Sequence, residues 1–435
     1  MNLPENHPLR MELNDEVHAR PPQAITVPAR VSYMALISPP ENADRERAHM
    51  RALCERKGLP APERIGNHHL ADFGAFRVKW ERHTEFTRYK IIAEGDAGKA
   101  FTDPAIDMLP PDWLAGLNGK LLTAANVALM QEPPEFDPDR ISKDYFSGNP
   151  LIGSSIAGGS AKAFTDFRIA GNGFTRLMIF NRNMTLRQTG RTVQRLLEID
   201  TYRMMALLTF PVARELRPFI ARSDTELAQV TKLMGEGGVG KDQGLLDRLI
   251  QLEAAIESRY ADHQYRFSAA DAYYGVVQNR IAELREDRVQ GFQTFGEFME
   301  RRLAPAMSTC RSVSDGMEAL SERVERTTQL LSTRVGMARE QQNQKLLETM
   351  ARRAKMQLRL QQTVEGLSVA AISYYVVGLV GYGAKALKAG GLPVNPDLAM
   401  GAAVPVVILL AAFGIRNIRR RLTVESGKGG GASSD

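Results

Sequence analysis

Apolar and polar positions along this chain follow different periods in different stretches, and each period predicts its own kind of element. Phe76, Val78 and Trp80 alternate with Arg77, Lys79 and Glu81, the period of a half-buried strand. Phe86 to Ile92 predicts a second strand. Strand-like runs recur at Leu121 to Met130, Ala163 to Ile169 and Phe174 to Phe180, punctuated by Gly153, Gly158, Gly159, Gly171 and Gly173. The sequence Ala170-Gly171-Asn172-Gly173 reads as a hairpin turn.

Beyond residue 182 the period becomes helical. From Thr185 to Leu233, Val193, Leu196, Leu197, Ile199 and Met204 interleave with Arg195, Glu198 and Arg203, and Pro211 is expected to end or kink the first stretch. Arg195, Glu198 and Tyr202 fall on one helix face, a spacing more typical of a structural pair than of a catalytic group. Between about Ser268 and Thr363 proline is nearly absent. Pro305 is expected to end one helix near Leu303 and start the next, which then runs without a break towards the C-terminal apolar region. On it Leu331, Val335, Ala338, Leu347, Met350, Ala354 and Leu358 recur at steps of three and four, a stripe that needs a partner.

From Gly366 to Ala384 no residue is charged; as a helix this run spans about 28 Å, close to the roughly 30 Å of a bilayer core. A second uncharged run, Leu398 to Ile415, contains Pro405, which neighbouring helices in a bilayer tolerate. Two such runs in succession predict a transmembrane hairpin, and the competing reading is a buried hairpin of a soluble core. Arg352, Arg353, Lys355 and Arg359 precede the first run and Arg416, Arg419, Arg420 and Arg421 follow the second, so both ends are expected in the cytoplasm, with the loop around Lys385, Lys388 and Asp397 outside. Gly378 and Gly381 in the first span, and Pro405 and Gly414 in the second, are the positions expected to shape helix packing. Neither run holds an acid or a lysine at mid-membrane, which argues against a proton relay.

The fold class that follows is α+β: residues 1–182 a mixed α/β head, 183–363 a helical, coiled-coil-like stalk, 364–421 a two-helix transmembrane hairpin, and 422–435 a disordered tail. The N-terminus lacks a basic segment followed by an apolar run, so no cleavable signal peptide is expected and the head stays on the cytoplasmic side of the inner membrane. A formal charge of +6 over 435 residues is mild, and the basic residues are dispersed, so no nucleic-acid partner is expected. The two cysteines, Cys54 and Cys310, stand far apart without metal-ligand spacing.

Candidate chemistry is sparse. Gly235-Glu236-Gly237-Gly238-Val239-Gly240-Lys241 has the spacing of a phosphate-binding loop, but Asp242 stands where a hydroxyl should meet magnesium, and helices flank it on both sides. The polar cluster Asn14-Asp15-Glu16-Val17-His18-Ala19-Arg20, the pair His68-His69, and Trp80-Glu81-Arg82-His83-Thr84-Glu85 hold titratable groups without a third metal ligand at sensible spacing. No catalytic, metal or cofactor-binding residues are assigned, and the chain is not read as an enzyme.

Trp80-Glu81-Arg82-His83-Thr84-Glu85-Phe86, Arg195-Leu196-Leu197-Glu198, Gln361-Gln362-Thr363-Val364-Glu365-Gly366-Leu367-Ser368 and the polar N-terminal residues carry a resemblance, over nearly the whole chain, to an uncharacterised bacterial membrane-anchored family catalogued as a domain of unknown function. More distantly, an α/β head, a long helix entering the bilayer, two spans and a basic tail resemble the plan of CorA-type magnesium channels. In those channels the first span ends in Tyr-Gly-Met-Asn. Here Tyr382-Gly383-Ala384-Lys385 stands in that place, as the candidate outer mouth of a pore. Lys385 replaces the ion-contacting Asn, and a ring of lysines would repel divalent cations. The expectation is thus a CorA-like homo-oligomer in the inner membrane that carries an unassigned ion. The alternative is a non-conducting, membrane-anchored scaffold or sensor that meets a cytosolic protein partner through its stalk.

Overall fold

The computed structural model describes residues 4–11, 13–14, 21–60, 65–135, 137–236, 241–391, 393 and 395–426, with backbone alone for 412 and 415–426. Among them, nine strands join in one sheet: β1 (Ala29–Ile37), β2 (His68–Asp72), β3 (Arg77–Arg82), β4 (Phe86–Glu94), β5 (Lys120–Gln131), β6 (Ile152–Ile156), β7 (Ala161–Thr165), β8 (Thr175–Asn181) and β9 (Asp287–Arg288). Their order is β2-β3-β4-β1-β5-β8-β7-β6-β9. All neighbours pair antiparallel except β5 and β8, which run parallel. The predicted strands are present, with one shortened. The run from Ala163 stops at Thr165, because Phe167 turns to φ 51° and its N–H is taken by the Thr165 hydroxyl at 3.1 Å. The hairpin between β7 and β8 is closed by the Gly173 N–H on the Ala170 carbonyl, 2.9 Å.

Helices follow as α1 (Ala43–Arg56), α2 (Pro111–Ala115), α3 (Pro138–Phe146), α4 (Leu186–Leu207), α5 (Phe210–Glu236), α6 (Asp242–Leu284), α7 (Phe295–Arg302), α8 (Ala304–Ala389) and α9 (Pro396–Ser426). Pro211 lies in the first turn of α5, just past the break between α4 and α5. Pro305 occupies the first turn of α8, where a missing N–H costs nothing. The start of α4 is fixed by a reciprocal cap, in which the Thr185 hydroxyl accepts from the Gln188 N–H and the Gln188 side chain accepts from the Thr185 N–H.

Helices cover both faces of the sheet. On one, Met50, Leu53 and Cys54 of α1 and Trp113 of α2 pack against Met34, Val78, Trp80, Tyr89 and Ile91. On the other, Val193, Leu196, Leu197 and Ile199 of α4 join Val31, Tyr33, Phe86, Ile92, Val127 and Leu129, with Val277 of α6, Phe295 of α7 and Met307 of α8 in the same core. The stretch around residue 182, expected to part head from stalk, therefore lies between two elements of one core. A third cluster binds α5, α6 and α8 through Leu227, Val230, Leu249, Ile256, Leu320, Val324 and Leu331.

The chain divides into two compact units, Met1–Leu331 and Ser332–Asp435, and α8 has residues in both. The expected stripe is buried only at its start. Leu331 is fully buried in the first unit's bundle, whereas Leu347, Met350 and Leu358 are exposed. Among the described residues one helix, the one containing α8, is long and apolar enough to cross a membrane, and just 6% of its apolar stretch is buried. The apolar run Pro396–Ala411 of α9 is shorter.

Candidate functional site

β3 and β4 look, from their alternation, like strands with one wet face, and that expectation is corrected. Lys79, Glu81, Arg88 and Lys90 are all buried. The register sets Lys79 opposite Lys90 and Glu81 opposite Arg88, so four ionisable groups share one patch of sheet face. The polar face is dry because α4 lies over it, supplying Glu198, and α6 adds Arg280.

A continuous chain of alternating charges results. Lys79 Nζ stands 2.7 Å from Glu81 Oε1, and Glu81 Oε2 accepts from Arg88 Nε at 2.6 Å. A second Arg88 nitrogen reaches Glu198 Oε1 at 3.1 Å, and Glu198 Oε2 accepts from Arg280 Nε at 2.6 Å. Arg280 also reaches Glu283 at 2.8 Å, and Glu283 ends the chain on Arg195 at 2.9 Å. The other end is tied to the N-terminal strap, residues 21–26: Lys79 Nζ donates to the Pro21 carbonyl at 2.9 Å and Arg77 to the Ala24 carbonyl at 3.1 Å. The strap is clamped against α4 at Gly190, where an added Cβ would run into the Gln23 carbonyl.

Burial alone would push the Glu81 carboxyl up; the Arg88 and Lys79 charges more than reverse this and hold it at about 2. Glu198 is likewise lowered, burial being outweighed by Arg88, Gln194 and Arg280. Lys90 goes the other way. Burial brings its ammonium down to about 7, Lys79 and Arg88 push in the same direction, and Glu81 and Glu198 oppose them. Gln23, itself buried, has no partner for its side-chain nitrogen or oxygen among the described residues, and neither has the Gln194 Oε1. On the opposite face Glu46, fully buried, accepts from Arg82 and Thr87 at 2.7 Å each and from Ser38.

The residues singled out by spacing fare unequally. Arg195, Glu198 and Tyr202 do not form a trio. Arg195 turns to Glu283, Glu198 to Arg88 and Arg280, and the Tyr202 ring stacks on Tyr273 at 5.6 Å. Glu85 ties the β3–β4 turn to α6 through Arg266 and Tyr273. His69 lies 3.8 Å from the Cys54 sulfur, its basicity lowered by burial and by His68. No group of three metal-ligating side chains occurs among the described residues. The cluster at Asp15, Glu16 and His18 lies outside the described residues, as do Gly237 to Gly240 of the glycine-rich loop. Near the C-terminus Tyr382 is exposed with the Lys385 ammonium 5.9 Å from its ring centre, while Ala384 is buried. A Cβ added at Gly381 would meet the flexible Met400 side chain of α9, which would have to shift, whereas Gly378, Gly383 and Gly414 have open space around them. Pro405 is accommodated within α9.

Nothing in local spacing announced Lys90, Arg280 or Glu283. The available signal was that Arg88 and Lys90 share a face of their strand, as do Lys79 and Glu81 on the next.

A nine-stranded mixed sheet clad by helices on both faces, a buried ion-pair chain and one helix of membrane-spanning length define the class: a mixed α/β protein with a long helical C-terminal part. Residues 5–422 match the family model described as protein of unknown function (DUF3422), and the chain belongs to that family. No curated protein and no solved structure matches it.

Proposed function

We propose that this chain is a two-span inner-membrane protein that self-associates through its second unit and presents the first unit to the cytoplasm as a sensing head. The observation that carries this reading is the exposure of large apolar side chains along α8: Leu367, Tyr374, Leu379 and Tyr382 are each at least 69% exposed. A contiguous surface of that kind in water is a liability, and in hydrocarbon it is at home. The close approach of Gly381 to Met400 supports α8 and α9 crossing the bilayer as a pair. The basic residues before and after the pair support cytoplasmic ends.

A direct test uses Asn395→Cys and Ser426→Cys, each probed in intact cells and in lysed cells with a membrane-impermeant maleimide. Both native cysteines are buried, which keeps the background low. Labelling of Asn395→Cys in intact cells, with Ser426→Cys labelled after lysis alone, is expected. Release of the whole protein by alkaline extraction refutes the anchor.

Ion passage, on a plan like that of the CorA-type channels, is the second reading. It draws on α8 contributing residues to both units. Light scattering of the detergent-purified chain followed by flux in vesicles separates the two. A pentamer with flux altered by Lys385→Asn favours passage; an oligomer without flux favours the sensor.

A further inference from the structure

The ion-pair chain reaches the surface in a cleft of about 590 Å³ between α4, the end of α6 and the turn joining β6 to β7. That cleft holds more positive charge than its own acid can neutralise. Arg191, Arg195 and Arg285 line it, and its one carboxylate, Glu283, is shared between Arg195 at 2.9 Å and Arg280 at 2.8 Å. No acceptor for the guanidinium of Arg191 or Arg285 is found among the described residues. Cations gathered without acceptors repel one another, and an arrangement of this kind is favourable once an anion joins it.

The backbone is built to hold the arrangement. Arg285 caps α6 at φ 46°, a left-handed position that ordinarily falls to glycine, and Ala157 across the cleft stands at φ 55°. Two clasps keep them there: the Ala157 N–H donates to the Leu284 carbonyl at 2.7 Å and the Gly158 N–H to the Arg285 carbonyl at 3.4 Å. The left-handed cap sets the Arg285 side chain at the rim of the cleft beside Arg191 and Arg195. Guanidinium groups present paired N–H donors matched to phosphoryl oxygens.

The cleft volume falls in the range of small-molecule sites. Among the described residues its lining carries no aromatic ring on which a base could stack, which favours a compact polyanion over a nucleotide. We infer that this cleft binds a small phosphorylated anion, of the charge and size of inorganic diphosphate, through Arg191, Arg195 and Arg285. The anion competes with Glu283 for Arg195, and Glu283 is the outer end of the chain that runs through Glu198 and Glu81 to the N-terminal strap. This deepens the sensing role proposed above by naming the ligand class, and it stands or falls without reference to the membrane spans.

The test is calorimetric titration of the full-length chain in detergent with inorganic diphosphate, beside sulfate at matched ionic strength. A saturable, single-site heat is expected with diphosphate, weakened by roughly tenfold or more in Arg191→Gln and in Arg285→Gly, the scale of one charged hydrogen bond. Arg285→Gly relieves the left-handed strain, so its thermal midpoint stays level or rises, and lost binding there cannot be put down to lost folding. No saturable heat into the millimolar range overturns the inference, as do unchanged affinities in both variants. Sulfate binding as tightly as diphosphate reduces the cleft to diffuse charge attraction and also overturns it. Each of these outcomes leaves the cysteine-labelling result untouched, so the two readings fail separately.

Discussion

Lys90 sits among Lys79, Arg88, Glu81, Glu198 and Tyr33 with less acid nearby than three cations need. Its folded pKa, about 7, lies below the ordinary lysine value. Between pH 7 and 10 the unfolded chain therefore holds a proton that the folded chain lacks, and stability rises with pH across that window. Below pH 7 both states are protonated and the full burial cost remains. The thermal midpoint is expected to climb from pH 7 to pH 9 in the native sequence and to stay nearly level in Lys90→Met. Glu198 shows the opposite dependence on a partner. Glu198→Gln keeps the shape but leaves Arg88 buried with half its compensation, and a loss of about 3–5 kcal/mol is expected in denaturant titration at pH 7. The buried Cys310 thiol, raised to about 11 first by burial and then by Asp271, should resist a thiol reagent at pH 7 until denaturant is added.

At the scale of elements, the tightest joint is between α4 and the N-terminal strap. The helix brings Gly190 against the Gln23 backbone, and no side chain fits between them. Gly190→Ala gains helix propensity worth about 1 kcal/mol yet must push the strap away from Arg77 and Lys79. A net destabilisation of about 1–3 kcal/mol is expected, the ordinary cost of overpacking, and amide exchange of residues 21–26 should accelerate with it. The sheet explains why so much charge could be buried here. A strand places alternate residues on one face, so two neighbouring strands with Lys79, Glu81, Arg88 and Lys90 in register lay down a preformed lattice, and α4 and α6 had only to complete it. The N-terminal strap then closes its outer edge through backbone carbonyls, which carry no charge of their own.

For the whole molecule, the contrast between the units is one of packing. Unit 1 buries the apolar faces of α4 to α8 as far as Leu331, and unit 2 leaves Leu347, Met350 and Leu358 exposed. Replacing Leu347 and Met350 together with Asp should leave the thermal unfolding of unit 1 within about 0.5 kcal/mol, since neither residue packs there. It should also lower the mass found by light scattering in detergent. An unchanged mass would remove this stripe from the self-association surface.

Local pattern was enough to foresee the strands from Phe76 to Ile92, the break at Pro211, the start of α8 at Pro305 and the long uncharged run after Gly366. Each depends on residues within a turn or a strand of one another, where period and proline act directly. That the charged side of β3 and β4 is dry as well depends on α4 and α6, with Glu198 lying 110 residues beyond Arg88, and no local period encodes that covering. The same holds for the candidate site. Alternation put Lys79 with Glu81, and Arg88 with Lys90, on one face. Only the tertiary structure brought in Glu198 and Arg280, lowered the basicity of Lys90, and joined Arg191, Arg195 and Arg285 into one cleft, because interactions between charges depend on distance and burial, and both are set by the packed fold.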